Sequence, residues 1–372
     1  MWSPDCADFG PPVKAEFAIA HQRCSDGALF VDSSRVYHGG GNGCPSITPL
    51  SPRGRGAGGE GMFWKSAIER QSVSRTLGHR AGGRSRQGRG DRSEKPRPLR
   101  PRGWLKSVRR VTRVALVAYL VIILVMMWLE ESLIFVPFST AADDWHPSGL
   151  QVEDAWFEAA DGVRIHGWHV PHEHPRAVVL FAHGNAGNVT HRADVLRALH
   201  DRVGVSVLAF DYRGYGRSGG KPTGQGILAD ARAARTWLAR RENIPAEQIV
   251  LMGESIGGAV AVDLAADGAR GLIVENSFAS LPEVAAYHFP WLPVRLFMRT
   301  RLNSAARIRN YHGPLLQSHG DCDTIVPLAS AERLFAAANE PKKFILIPGG
   351  DHNDAHGPQY YEQICQFVQS LK

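Results

Sequence analysis

The sequence predicts an α/β protein built on a mostly parallel, doubly wound sheet, and three observations predict it. Short apolar runs alternate with segments of helical spacing from about residue 150 onward. The runs are continuously apolar rather than alternating, which suits strands buried on both faces. Glycine-rich, chemistry-bearing motifs follow several of these runs, at the carboxyl ends of strands where such sheets place their sites.

The chain divides into three regions. Of its 372 residues, 1–113 carry 21 Lys/Arg against 9 Asp/Glu, while the remaining 259 carry 22 against 27. The basicity therefore belongs to the N-terminal segment and says little about a substrate of the rest. Residues 1–103 include HGGGNGCPSITPLSPRGRGAGGEG and HRAGGRSRQGRGDRSEKPRPLRPRG. Such composition cannot bury enough apolar area to offset chain entropy, so a disordered basic Gly/Arg-rich tail is expected. Arginine- and glycine-rich sequence also suggests a nucleic-acid tether. A solvated cytoplasmic tail beside a membrane span is the preferred reading, and nucleic acid is not expected as a partner.

Residues 111–129, VTRVALVAYLVIILVMMWL, form the candidate transmembrane helix. The run Val114–Leu129 has no charge, and Tyr119 is its only polar group. With Arg113 snorkelling, the segment approaches the ~20 residues that cross a bilayer. Trp128 suits an interface, and Lys106, Arg109 and Arg110 on one side face Glu130 and Glu131 on the other. The segment begins too far from Met1 for a cleaved signal peptide unless translation starts later. The positive-inside bias places the N-terminus in the cytoplasm and the C-terminal domain outside it.

Residues 150–372 read as one compact domain, the catalytic one if the motifs below carry chemistry. WFEAADGVRIHGWHV has Asp161-Gly162 between alternating segments, a hairpin signal. Six strand runs follow at 177–184, 205–212, 248–255, 271–278, 314–320 and 342–350. Helical patterns lie between them at 190–203, 225–241, 257–266 and 329–338, with a last one at 358–372. The five cysteines at 6, 24, 44, 322 and 365 show no CxxC or paired metal spacing, so neither a zinc site nor a disulfide framework is read.

Four motifs carry chemistry. Gly253-Glu254-Ser255-Ile256-Gly257 ends one strand and opens a helix. A serine on that sharp turn is strained and exposed at a helix N-terminus, and the two glycines remove side chains that would clash across the bend. His183-Gly184-Asn185-Ala186-Gly187-Asn188 follows an earlier strand. There the backbone N–H of Asn185, with that of Ile256, would form an oxyanion hole, while His183 shapes the loop. His319-Gly320-Asp321-Cys322-Asp323 offers two carboxylates, one to orient a histidine and one to form a turn. Gly349-Gly350-Asp351-His352 follows the last strand, and His352 would be general base toward Ser255 and then general acid.

With HGNAGN, DYRGYGRSGG (211–220), GESIGG, ENSFAS, HGDCDTIVP and GGDHND in that order, residues 150–372 resemble the α/β-hydrolase superfamily. Within it they are similar to the membrane-anchored abhydrolase-domain, serine aminopeptidase-like branch. The resemblance implies that Asp323, not Asp321, is the acid of a triad with Ser255 and His352. It also implies action on esters, thioesters or amides without metal or cofactor. The segment AAYHFPWLPVRLFMRTRLNSAARIRNY (285–311) stands where this superfamily inserts lids. It reads equally as an acyl-binding wall, a membrane-dipping surface, or a helix packed on the core, and its shortness disfavours a deep tunnel.

The expected function is a membrane-anchored serine hydrolase acting on a small-molecule or lipid-like ester or thioester. One alternative is a serine aminopeptidase, for which Glu254 and Glu275 are candidate amine-binding carboxylates. Another is a non-catalytic binding protein that retains the fold.

Overall fold

The computed structural model describes residues 102–138 and 143–371, so the tail expected over 1–103 lies almost wholly outside the described residues. The first element is a long helix, α1 (Arg102–Ile134). It extends beyond 111–129 in both directions, because no proline interrupts residues 102–134. A hairpin follows, β1 (Glu153–Glu158) and β2 (Arg164–Val170), turning at Gly162 with φ +81°. Then come β3 (Val178–Ala182), α2 (Ala193–Ala198), β4 (Ser206–Phe210), α3 (Gly224–Arg241), β5 (Val250–Glu254), α4 (Ile256–Ala265) and β6 (Gly271–Glu275). The chain closes with α5 (Leu281–His288), α6 (Val294–Phe297), α7 (Ser304–Arg307), β7 (Leu315–Gly320), α8 (Leu328–Ala337), β8 (Lys342–Ile347) and α9 (Pro358–Ser370). The helical pattern at 190–203 is realised less regularly than its spacing suggested, as a 3₁₀ turn, α2 and a π turn that ends at Gly204 (φ 72°).

The eight strands form one sheet in the order β1-β2-β4-β3-β5-β6-β7-β8. From β4 to β8 all neighbours are parallel; the β1–β2 hairpin joins β4 antiparallel. Side chains alternate across the sheet, so each central strand feeds two cores. Leu180, Leu208 and Leu251 pack with Ile227, Ala234 and Leu238 of α3 and with Ala261 of α4. Val179, Val207 and Met252 pack with Leu196 of α2 and with Ile364 and Val368 of α9. Covered on both faces, the strands must be apolar throughout, which is why their sequence shows no alternation.

α1 stands apart from this scheme. It is long and apolar enough to cross a membrane by length and composition, and most of its surface is uncovered. Its inward residues, Tyr119, Ile123, Met126, Met127, Glu130 and Ile134, recur at helical spacing and form one stripe.

Candidate active site

Ser255 occupies the bend between β5 and α4 with φ 53° and ψ −118°, a conformation L-residues avoid. Neighbouring strands impose it. Ser255 N–H donates to the Glu275 carbonyl (2.8 Å), and Ser277 Oγ donates to the Ser255 carbonyl (2.7 Å). The flanking glycines are required by space. A Cβ at Gly253 would lie 2.1 Å from the Gly257 oxygen, and one at Gly257 would lie 2.0 Å from the Ala182 oxygen.

The three residues singled out from the sequence meet in one line. His352 Nε2 lies 2.9 Å from Ser255 Oγ, and His352 Nδ1 lies 2.8 Å from Asp323 Oδ2. Asp323 Oδ2 accepts a hydrogen bond from His352 Nδ1–H, which leaves Nε2 to accept from the serine hydroxyl. Asp323 has no exposed side-chain area. Its Oδ1 accepts from the N–H groups of Ile325 (2.9 Å) and Val326 (2.7 Å), so its buried charge is compensated. Asp321 sits elsewhere: its Oδ1 accepts from Gly349 N–H (2.6 Å) and ties together the loops after β7 and β8.

Several supporting residues were not singled out from the sequence. Asp351 accepts from the N–H groups of Thr324 and His352 (2.8 Å each), bracing the acid loop against the histidine loop. Those backbone donors hold its carboxyl below the ordinary value. Asn276, with φ 44°, donates to the His352 carbonyl (3.0 Å) and accepts from Gly320 N–H (3.1 Å). His319 lies under Asp323, with Nε2 3.3 Å from Oδ2 and 2.9 Å from the Val326 carbonyl. Burial lowers its pKa, so it stays neutral there.

The HGNAGN loop is held from two sides. His183 is fully buried; its Nδ1 donates to the Gly184 carbonyl (2.7 Å) and its ring packs on Tyr212. Gly184 N–H donates to Glu254 Oε1 (2.7 Å), and the same oxygen accepts from Arg192 Nε (2.6 Å). Asn185 and Ile256 line the same cavity as Ser255 and His352. The Asn185 side chain reaches α1: Nδ2 donates to the Ile134 carbonyl (2.6 Å), and Oδ1 accepts from Tyr215 Oη (2.8 Å). Tyr215 Oη in turn accepts from Val136 N–H (3.1 Å).

The cavity has a volume of about 910 Å³. One wall comes from α5, α6 and their connection, through Leu281, Val284, Phe289, Leu292 and Phe297. The facing wall comes from α1, through Ile123, Met126, Met127, Glu130 and Leu133. The short 285–311 segment does not enclose the site by itself, and α1 supplies what it lacks. Within that segment Leu292 is buried, whereas Phe289, Trp291, Leu296 and Phe297 are exposed, so it both packs on the body and presents an apolar surface.

Glu254 and Glu275 also line the cavity, and both have partners. Glu254 is bound by Arg192 and Gly184 N–H; Glu275 is bound by His356 and by Tyr360 Oη (3.0 Å). Burial alone would lower the His356 pKa, but the hydrogen bond and charge of Glu275, together with the charges of Glu254 and Asp354, turn the net shift upward. Among the described residues, no group of three or more His, Cys, Asp or Glu is arranged to hold a metal ion.

Residues 173–300 match the family described as serine aminopeptidase, S33. An uncharacterized Mycobacterium tuberculosis protein, Rv2307c, is 41% identical over 258 residues, covering 67% of this chain and 90% of the relative. The α/β hydrolase domain-containing protein WAV2 of Arabidopsis thaliana is 32% identical, covering 64% of this chain and 87% of its own length. Among solved structures, the Pyrococcus furiosus esterase Pf2001 superposes with a TM-score of 0.53 at 22% identity, covering 63% of this chain and 98% of that one. The chain belongs to the α/β-hydrolase superfamily, and it is a serine hydrolase.

Proposed function

We propose that this α/β hydrolase is membrane-anchored and cleaves an ester or thioester through an acyl-enzyme on Ser255. The observation that carries the reading is the line Ser255 Oγ–His352–Asp323 at the carboxyl ends of β5, β8 and β7, facing a largely apolar cavity. Ser255 Oγ attacks the substrate carbonyl while His352 Nε2 takes its proton. Asp323 stabilises the imidazolium through Nδ1. The oxyanion is met by the N–H groups of Ile256 and Asn185, each worth roughly 3–4 kcal/mol of barrier in such sites. His352 then protonates the departing alkoxide or thiolate, and water, activated by the same nitrogen, releases the acid. Residues 150–372 are the catalytic domain in this reading. α1 anchors it to the membrane, with the Arg-rich tail cytoplasmic and the domain outside the cytoplasm.

The aminopeptidase alternative draws on the S33 family description and would use the same triad. A substrate ammonium would need an unengaged carboxylate near Ser255. Both nearby candidates are engaged, Glu254 by Arg192 and Glu275 by His356 and Tyr360, which favours the ester. The experiment is fluorophosphonate labelling of purified full-length protein, followed by a comparison of acyl esters, acyl thioesters and aminoacyl amides. Labelling of wild type and its loss in Ser255→Ala are expected; folded wild type that takes no label would remove the nucleophile assignment. Preferential turnover of the aminoacyl amide would move the reading to the peptidase.

A further inference from the structure

We propose that the cavity between α1 and the 289–298 segment binds the acyl chain of a membrane-resident ester, which enters sideways from the bilayer. This inference rests on the serine-hydrolase, membrane-anchored reading above and names its substrate class.

The depth of the cavity relative to α1 makes the case. Tyr119 Oη donates to the Trp291 carbonyl (2.8 Å), and Arg299 Nη2 donates to the Met127 carbonyl (2.9 Å). Glu130 accepts from the N–H groups of Arg299 (3.0 Å) and Thr300 (2.6 Å). Residues 291–300 therefore lie along α1 from Tyr119 to Glu130, about 16 Å of helix axis. Almost all of that length falls inside the uncharged run Val114–Leu129. If that run sits in hydrocarbon, the cavity wall made by Ile123, Met126 and Met127 sits there too.

The exposed surface agrees. Leu124 and Trp128 on the outer side of α1 are 64% and 81% exposed, and Trp291 and Leu296 across from it are 58% and 75% exposed. Apolar surface of this extent on two adjacent elements is costly in water and is satisfied by lipid. The bilayer that covers the outside of α1 then also reaches the segment facing it. A chain leaving the bilayer between the two elements passes from hydrocarbon to a methionine-lined wall without crossing water, and its ester reaches Ser255 at the strand ends. The cavity, about 910 Å³, is at the large end of small-ligand sites and is ample for a single tail. The flexible thioethers of Met126 and Met127 suit a tail of variable shape.

Two measurements test this. In the first, full-length Ser255→Ala protein is placed in phosphatidylcholine vesicles containing a long-chain acyl ester with a diazirine at its tail end. Crosslinks are expected within 123–127 and 289–297, at least tenfold above those at Leu116 and Val117, and suppressed by the same ester lacking diazirine. Labelling spread evenly around α1, or not competed, overturns the proposal. In the second, kcat/KM of wild type is measured from butanoyl to dodecanoyl esters. A rise of about fourfold per methylene is expected while the tail is being buried. Met126→Trp, which fills the wall, is expected to cut the dodecanoyl-to-butanoyl ratio at least tenfold; an unchanged ratio counts against the groove. Fluorophosphonate labelling separates the two readings. Labelled protein with a flat chain-length profile keeps the nucleophile and loses the groove. Unlabelled protein with competed crosslinks keeps the groove and loses the nucleophile.

Discussion

The strand-end site and α1 are held in place by different physics. Ser255, Asp323 and His352 stand on loops that emerge from the buried centre and one flank of a continuous sheet, and backbone hydrogen bonds brace each loop against the next. α1 leaves most of its apolar surface uncovered and reaches the body through a few polar contacts, at Tyr119, Met127, Glu130 and Ile134. Chemistry at the first region is fixed by the sheet. The groove beside it depends on how one helix is clamped. Substitutions of the Ser255, Asp323 and His352 side chains should therefore remove turnover and leave the fold intact, substitutions of the glycines that shape the bend should strain the sheet itself, and substitutions at the clamps should loosen the groove first.

The largest effect expected is at the acid. Asp323→Asn keeps the shape but favours the wrong tautomer of His352, and kcat should fall by about 10⁴-fold. Asp321→Asn alters a side chain whose Oδ1 accepts from Gly349 N–H, and it should stay within about tenfold of wild type. Hydrolysis of a short chromogenic ester measures both; equal losses would mean the two carboxylates share the task and the sheet-fixed geometry is misread.

Next comes the bend itself. Gly257→Ala would place a methyl group 2.0 Å from the Ala182 oxygen, a backbone atom of β3 that cannot yield. A loss of about 3 kcal/mol or more is expected, seen as reduced folded yield and a lowered melting temperature. A variant with wild-type stability would show that the β5–α4 packing is looser than the sheet implies.

Glu130→Ala tests the clamp. The carboxylate is buried, and its loss leaves the N–H groups of Arg299 and Thr300 without it; about 2 kcal/mol of docking should go with it. Trypsin cleavage after Arg299 and Arg301 should accelerate in detergent-solubilised protein, with circular dichroism of the sheet domain unchanged. Unaltered cleavage would mean that apolar contact alone docks α1.

The sheet and the bends at its strand ends were legible because both leave strong local signatures. Burial on two faces forces uninterrupted apolar runs, and a serine at φ 53° forces glycines at 253 and 257. The choice between Asp321 and Asp323 was not legible from residue type, since two carboxylates two positions apart differ only in which loop each faces; the family pattern was needed. The role of α1 was hidden for another reason. An apolar run long enough to cross a membrane reads as lipid-facing all round, which masks any wall it lends to a site. A faint signal was present: Tyr119 and Glu130, eleven positions apart, lie on one helical stripe with Ile123, Met126 and Met127, and both touch the 291–300 segment. Asn276 and Asp351 left no signal, because their work is to join loops distant in sequence.

The smallest effect concerns two histidines whose pKa values move in opposite directions, one beneath the site and one at its rim. Burial holds His319 below its ordinary 6.5, in the company of Asp323, His352 and Glu332. In the native state it remains neutral where the unfolded chain would bind a proton. Its contribution to stability is therefore complete above about pH 6.5 and lost as the pH falls from there toward the native pKa. His356, beside Glu275 with Glu254 and Asp354 nearby, has its pKa raised despite burial. Its contribution is complete below pH 6.5 and lost as the pH rises through the native value. One proton bounds each slope at about 1.4 kcal/mol per pH unit. Thermal unfolding of Ser255→Ala should show a maximum near the crossover. In that background His319→Gln should flatten the acid limb and His356→Gln the alkaline limb. If His319→Gln flattens the alkaline limb instead, the buried histidine is charged in the native state, and Asp323 is then paired from below as well as from His352.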